Sequence, residues 1–287
     1  MVRPLGILAG LGFVAILLFS ALVGAISFIS EPPAPTAEHE FHKHPKELHL
    51  ASNGPLGRFD RQQLQRGFQV YKEVCSACHS LHQVAFRDLT GIGFTDPEVK
   101  AIASQWAIEV PSVNPETGEP ATRKALPADK FPDPYANEVA ARAANNNALP
   151  PDLSLMTKAR HDGAAYVHSL LTGYTDQAGY KNEDGKILLK EFPDSKTPTG
   201  LHFNPYFANL NIAMPPPLVA EGQVTYADGT KATVDQMAQD VAAFLVWTAE
   251  PKLENRHRTG VAVLIFLLIA TTLGFLAYRN VWSGVKH

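Results

Sequence analysis

Thiols are nearly absent from this chain: two cysteines in 287 residues, and they lie three positions apart. That supply leaves nothing for a disulfide once the pair is used together. Zinc is also disfavoured, because a closed site wants about four ligands and no second pair stands at matching spacing. Net charge is small as well. Lys+Arg 25 against Asp+Glu 28 gives −3, so neither a nucleic-acid footprint nor an acidic tail is present. No internal repeat occurs. Strand signals are sparse; only 223–234, "QVTYADGTKATV" with Asp228-Gly229 at its turn, reads as a short hairpin. What the chain does have is Pro 22 and Gly 20. Such content implies long irregular connections that something other than regular secondary structure must fix, and a bound cofactor would serve.

Uncharged runs lie at both ends. Residues 261–278, "VAVLIFLLIATTLGFLAY", carry no charge, and at 1.5 Å rise they reach roughly 27 Å, near the thickness of a thin bilayer. Arg256 and Arg258 precede the run, and Tyr278, Arg279, Trp282 and Lys286 follow it, as interfacial anchors do. A core helix of that length would show a polar face, so a membrane span is expected. Residues 5–29 are apolar behind Arg3. They read either as a removed secretory signal, with Val23-Gly24-Ala25 as a small-residue cleavage form, or as an uncleaved anchor, since the run exceeds a signal's usual apolar core. Both readings export the middle of the chain. The start is neither Arg-rich nor Ser-rich, unlike a mitochondrial transit peptide, which favours a bacterial inner membrane.

Between these ends, 30–57 reads as an extended tether. Its His39, His42, His44 and His49 match no closed ligand set. Asp60 followed by Gln63 has a capping-box pattern, and Leu64, Phe68 and Tyr71 then share a helix face, with Gly67 admitting a crossing helix. Residues 86–135 show no clean period. Helices are expected across "NEVAARAANNN" and "GAAYVHSLLTGY", and "HFNPYFANLNIAMPPPLV" is extended. Thr233 and Gln236 repeat the capping-box pattern before an apolar face of Met237, Val241, Phe244, Leu245 and Trp247, which Pro251 ends.

The two thiols sit in Cys75-Ser76-Ala77-Cys78-His79. A thioredoxin-like site would follow a strand, whereas the residues before Cys75 have a helical pattern. C-x-x-C-H is the form of c-type haem attachment. Cysteines at i and i+3 on one helical face can reach two vinyl groups along one porphyrin edge, and the next imidazole can bind iron. A methionine as distal ligand closes the iron for electron transfer; an open site would suit gas binding or catalysis. Beyond Met1 there are Met156, Met214 and Met237. Met237 lies on the apolar helix face and reads as core. Met156 stands in an unframed segment. Met214 precedes three prolines, a stiff strap that ranks it first.

From 59 to 286 the chain resembles the cytochrome c1 family. The likeness rests on "RGFQVYKEVCSACHS", "FPDPYANEVAARAANNNALPPDLS", "KARHDGAAYVHSLLTGY", "FNPYFANLNIAMPPPL" and "DVAAFLVWTAEP" followed by one tail helix. It implies a mainly α fold: a class I cytochrome c-like haem domain with long irregular insertions, anchored by a C-terminal transmembrane helix. With the N-terminal hydrophobic segment over 1–29 and the tether over 30–57 read above, the layout continues in a haem domain over 58–251 that the resemblance places in the periplasm. A span over 259–279 and a cytoplasmic tail over 280–287 complete it. Carried over by position, Cys75 and Cys78 would hold one covalent haem c, with His79 and Met214 as axial ligands. Arg160 matches a haem-propionate contact, and Asn145, Pro151 and Tyr166 match pocket positions. Gly67 and Tyr71 remain helix-crossing residues.

The resemblance also implies a one-electron relay within a dimeric cytochrome bc1 complex, from the Rieske iron–sulfur protein to cytochrome c, beside cytochrome b. The chain would be a subunit of ubiquinol–cytochrome c oxidoreductase with no quinone site of its own. Over 95–140, eight acidic residues oppose four basic ones, a modest field for a basic partner. Two rivals keep the haem: a subunit feeding a terminal oxidase, and a membrane-tethered gas sensor with an open iron position.

Overall fold

The computed structural model describes residues 2–32 and 34–284. The chain begins with helix α1 (Val2–Ser30) and ends with helix α10 (Leu253–Trp282). Both are long and apolar enough to cross a membrane, and neither buries its apolar window against the rest of the protein. Leucine and phenylalanine side chains stay exposed all round these two helices, a surface that water disfavours and lipid accepts. The expected span over 259–279 thus lies inside a longer helix whose base is tied to the body. Glu254 accepts from the Phe59 N–H at 2.8 Å and pairs with Arg61 at 2.8 Å, and His257 Nδ1 donates to the Gly57 carbonyl at 3.1 Å. Of the expected tail, 285–287 lie outside the described residues.

The segment expected to be a free tether is not one. Thr36 caps a short helix, α2 (Ala37–Phe41), and Phe41 is only 1% exposed. The four histidines His39, His42, His44 and His49 do lie outward, while Phe41 and Leu50 supply apolar anchors that the charged surroundings mask in the sequence.

The body is built on the crossing of α3 (Arg61–Glu73) with α9 (Val234–Ala249). Asp60 caps α3 by accepting from the Gln62 and Gln63 N–H groups. Thr233 caps α9 by accepting from Gln236 N–H at 3.0 Å. Neither pattern closes as a reciprocal box, because both glutamines turn instead to Asp240, at 3.2 and 2.9 Å. Asp240 is fully buried, and Arg66 neutralises it at 2.9 Å while also holding Asp228 at 2.8 Å. At Gly67 a Cβ would sit 2.0 Å from the Asp240 carbonyl oxygen, so only glycine permits this approach. Phe68, Tyr71, Phe86, Trp106, Phe131 and Phe244 interlock around the crossing.

Residues 86–135 are more regular than their composition suggests. A 3₁₀ segment (Phe86–Ile92) leads into α4 (Asp96–Ser104), where Glu98 folds back on Thr95. A hairpin follows, β1 (Val110–Val113) with β2 (Pro120–Arg123), with Val110 opposite Arg123. Two prolines and four-residue length hid it, as an isolated edge pair can tolerate both. The hairpin expected over 223–234 is absent. Its Asp228-Gly229 turn forms, but Val224 and Tyr226 are drawn into the core and Asp228 is captured by Arg66. Helices α5 (Glu138–Ala144), α6 (Met156–Ala159), α7 (Gly163–Leu171) and α8 (Leu188–Glu191) punctuate the remaining loops. Two-residue strands β3 (His202–Phe203) and β4 (Asn211–Ile212) pair just before Met214. The protein is mainly helical, as expected.

Candidate haem site

Helix α3 ends at Glu73, and Cys75–Ala77 form a single 3₁₀ turn in which Cys78 N–H donates to the Cys75 carbonyl at 3.1 Å. The cysteines were expected on one α-helical face. The tighter turn does this better, since three residues per turn eclipse i and i+3. The two cysteines therefore share one side of the turn, each a half-buried residue. Burial pushes the Cys75 thiol up to about 12, helped by Cys78 beside it. A dithiol redox site needs an accessible thiolate, so this pair is poorly suited to exchange chemistry.

His79 follows directly. Its Nδ1 lies 2.8 Å from the Pro151 carbonyl. A carbonyl only accepts, so Nδ1 carries the proton and the Nε2 lone pair is left for a metal. Burial pulls the imidazole below its ordinary range, against the Pro151 bond and the nearby Asp152. The neutral, ligating form is thereby favoured. Such an orienting bond to the far ring nitrogen is what iron-binding histidines use. Proline at 151 restricts the backbone that presents this carbonyl.

Asp152 clamps the same turn from the other side. Its Oδ2 accepts from His82 N–H at 2.7 Å and from Ser80 Oγ at 3.0 Å, and its Oδ1 accepts from Ser154 N–H at 2.9 Å. Burial works against the carboxylate, yet these bonds hold it below its usual range. Tyr71 adds a hydroxyl donation to the His79 carbonyl at 3.0 Å, so it serves the site as well as the helix crossing. Neither Tyr71 nor Asp152 was singled out for this role from sequence. Both lie in stretches that carry the family resemblance, but side-chain type alone does not tell a packing tyrosine from a positioning one.

Asn145 donates to the Tyr135 hydroxyl at 3.0 Å and to the Ala141 carbonyl at 2.7 Å. Tyr135 in turn faces the Cys78 sulfur. The Asn145 bond pulls its phenol down, the sulfur and burial push it up, and the balance is upward. Asn145 is thus connected to the attachment turn through Tyr135, a residue the sequence reading passed over.

Arg160 is exposed, caps α6, and forms no ion pair among the described residues. Its guanidinium donates to the Ala159 carbonyl at 3.1 Å and lies near the Tyr166 phenol, which burial raises and that arginine partly lowers. An arginine and a tyrosine hydroxyl without a carboxylate are a donor set suited to an anionic group. Met156 packs against the main core, and Met237 is wholly inside it. Met214 is half-buried and belongs to neither apolar core. Its carbonyl accepts from the Tyr174 hydroxyl at 3.0 Å, which fixes the strap ahead of the prolines. These donors fit a haem: two thiols on one edge, an oriented imidazole, an uncommitted thioether and a cationic group for a propionate.

Comparison with known proteins gives a consistent answer. The model of the Cytochrome C1 family matches residues 50–285. Cytochrome c1 of Rhodospirillum rubrum is 45% identical over 241 residues, covering 82% of this chain and 86% of that protein. A mitochondrial cytochrome c1 heme protein of Arabidopsis thaliana is 43% identical over 272 residues, covering 94% and 82%. The catalytic subunit of the Candida albicans mitochondrial cytochrome b-c1 complex is 42% identical over 251 residues, covering 88% and 81%. With the attachment turn, the oriented imidazole and the tail helix all in place, the chain belongs to the cytochrome c1 family.

Proposed function

We propose that this protein is the electron-transfer subunit of a cytochrome bc1 complex. It would take one electron at a time from a Rieske iron–sulfur protein and deliver it to a cytochrome c. The observation that carries this reading is the His79 Nδ1–Pro151 bond beside the paired thiols, which leaves the other imidazole nitrogen free for a metal. One haem c, when bound, supplies a one-electron ferric/ferrous couple. Cys75 and Cys78 would hold it through thioethers, and His79 and Met214 would be its axial ligands. Arg160 and Tyr166 would meet a propionate, while Asn145 and Pro151 line the pocket.

The chain's own part is to hold these groups still. Asp152, Tyr71 and Pro151 fix the attachment turn, and Tyr174 fixes the backbone of Met214. A ligand set that does not change between oxidation states keeps reorganisation small. Quinol chemistry belongs to partners, cytochrome b and the iron–sulfur protein, in a dimeric ubiquinol–cytochrome c oxidoreductase; this subunit has no catalytic group of its own. The haem domain over 58–251 would face the periplasm of a bacterial inner membrane. It would be held there by α10 and, if retained, by α1.

Met214→Leu is the test. It should lower the midpoint potential and open the reduced iron to carbon monoxide. An unchanged spectrum would move the distal ligand to Met156. Co-purification with a terminal oxidase, in place of a b-type cytochrome and an iron–sulfur protein, would favour the oxidase-feeding alternative.

A further inference from the structure

The lobe that carries Met214 stands apart from the main core. It has its own small apolar cluster, in which Phe41 and Ala37 meet Leu188, Phe203 and Leu210, with Tyr180 and Phe192 at the edge. The Phe41 ring lies 6.0 Å from Phe192, edge-on, and 6.3 Å from Tyr180. Phe41 comes from α2, more than 160 positions before the strands it packs on. Polar bonds stitch the same segment down: Lys43 N–H to the Pro205 carbonyl at 2.8 Å, Lys46 N–H to Ser169 Oγ at 2.8 Å, and Lys46 Nζ to Thr172 Oγ1 at 3.0 Å. Tyr180 and Asn182 each donate to carbonyls of α2, at Phe41 and Glu40 respectively.

These bonds reach both supports of Met214. Ser169 and Thr172 lead into Tyr174, whose hydroxyl holds the Met214 carbonyl. Phe203 pairs with Asn211, three positions before Met214, and Asn204 locks that turn through Leu210 and Leu170. We infer that residues 36–46 are a strap that keeps the distal ligand on the iron, with Phe41 as a positioning residue. Resting on the Met214 assignment above, this gives the exported N-terminal segment a role in the redox centre. Removing the Phe41 ring takes away the large side chain that α2 packs with Phe203 and Leu210, so the β3–β4 turn that leads to Met214 loses its backing. Met214 then leaves the iron part of the time, without any change at the attachment turn.

The test uses the full-length holoprotein. Phe41→Ala should bind carbon monoxide in the reduced state at least tenfold faster than wild type and should have a lower midpoint potential. Phe41→Leu should restore most of both. Met214→Leu is the control. If it stays inert to carbon monoxide, the ligand assignment is at fault. If it opens while haem-loaded Phe41→Ala keeps the wild-type rate and potential, the strap alone is refuted. Should Phe41→Ala fail to mature, hydrogen exchange on the unsubstituted protein decides. The Lys43, Asn204 and Leu210 amides should then open together, and separate exchange of Lys43 while Asn204 and Leu210 stay protected would overturn the strap.

Discussion

Tyr174→Phe isolates one bond in the distal support. The phenol ring is retained, so packing is conserved and only the hydroxyl donated to the Met214 carbonyl at 3.0 Å is lost. Burial raises this phenol well above its ordinary range, so the hydroxyl is protonated and donating at any physiological pH. A neutral intramolecular hydrogen bond contributes about 1 kcal/mol net, and an acceptor left fully buried would raise the loss to about 3 kcal/mol. Met214 is half-buried, so water can reach part of the orphaned carbonyl. The expected loss is therefore near the low end, about 1–1.4 kcal/mol, a factor of roughly 5–10 in the Met214-off population. With Met214 as the proposed distal ligand, carbon monoxide entry would require that off state. Stopped-flow mixing of reduced holoprotein with carbon monoxide should show its rate rise by roughly the same factor, with the haem content unchanged. A rate within twofold of wild type would refute the claim that Tyr174 holds the Met214 backbone.

Three other substitutions probe separate parts of the account. Gly67→Ala gains about 1 kcal/mol of helix propensity but drives a Cβ to 2.0 Å from the Asp240 carbonyl, a backbone atom that cannot swing away. Overpacking of that kind costs about 3 kcal/mol, so a net loss of about 2 kcal/mol and a Tm lower by roughly 4–8 °C are expected in thermal unfolding; an unchanged Tm would mean α3 and α9 do not meet at that point. Asp152→Asn removes a carboxylate held below its usual range, whose contribution is present above the unfolded pKa of about 3.9 and is lost as pH falls through the lower folded value. The variant should be less stable at pH 7 by about 2 kcal/mol in denaturant titrations, with the gap closing below about pH 4; a gap that persists in acid would contradict it. In the proposed site, Arg160→Leu removes a cation that would favour the reduced, more negative centre. Loss of one partly screened charge near the centre is worth about 1 kcal/mol, so the midpoint should fall by roughly 40 mV in potentiometry while Arg160→Lys holds it. An equal fall in both variants would point to packing instead of charge.

The attachment turn, the helix crossing and the two apolar ends were legible because each rests on a short-range rule. C-x-x-C-H needs only adjacency, Gly67 marks a close approach, and an uncharged run of 18 residues needs lipid. What the sequence hid was longer in range. Phe41 looked like one apolar residue among histidines, prolines and charges, since its partners at Leu188, Phe203 and Leu210 lie far along the chain. Gln63 and Gln236 fit capping boxes locally, but a buried Asp240 competes for both and wins. Tyr135, Tyr174 and Asp152 act on the site through hydrogen bonds to sulfur, carbonyl and amide groups. No spacing rule announces them. The hairpin over 110–123 is not legible in the sequence because its strands contain proline, and the one expected over 223–234 lost its aromatic and its aspartate to the core and to Arg66.

The most direct test is a tryptic digest of the matured, purified protein. The peptide 73–87, cut after Lys72 and Arg87, should carry the mass of one haem and keep its colour through acidified acetone. A colourless peptide of unmodified mass, or pigment released into the acetone, would contradict a porphyrin held by Cys75 and Cys78 and with it the proposed relay.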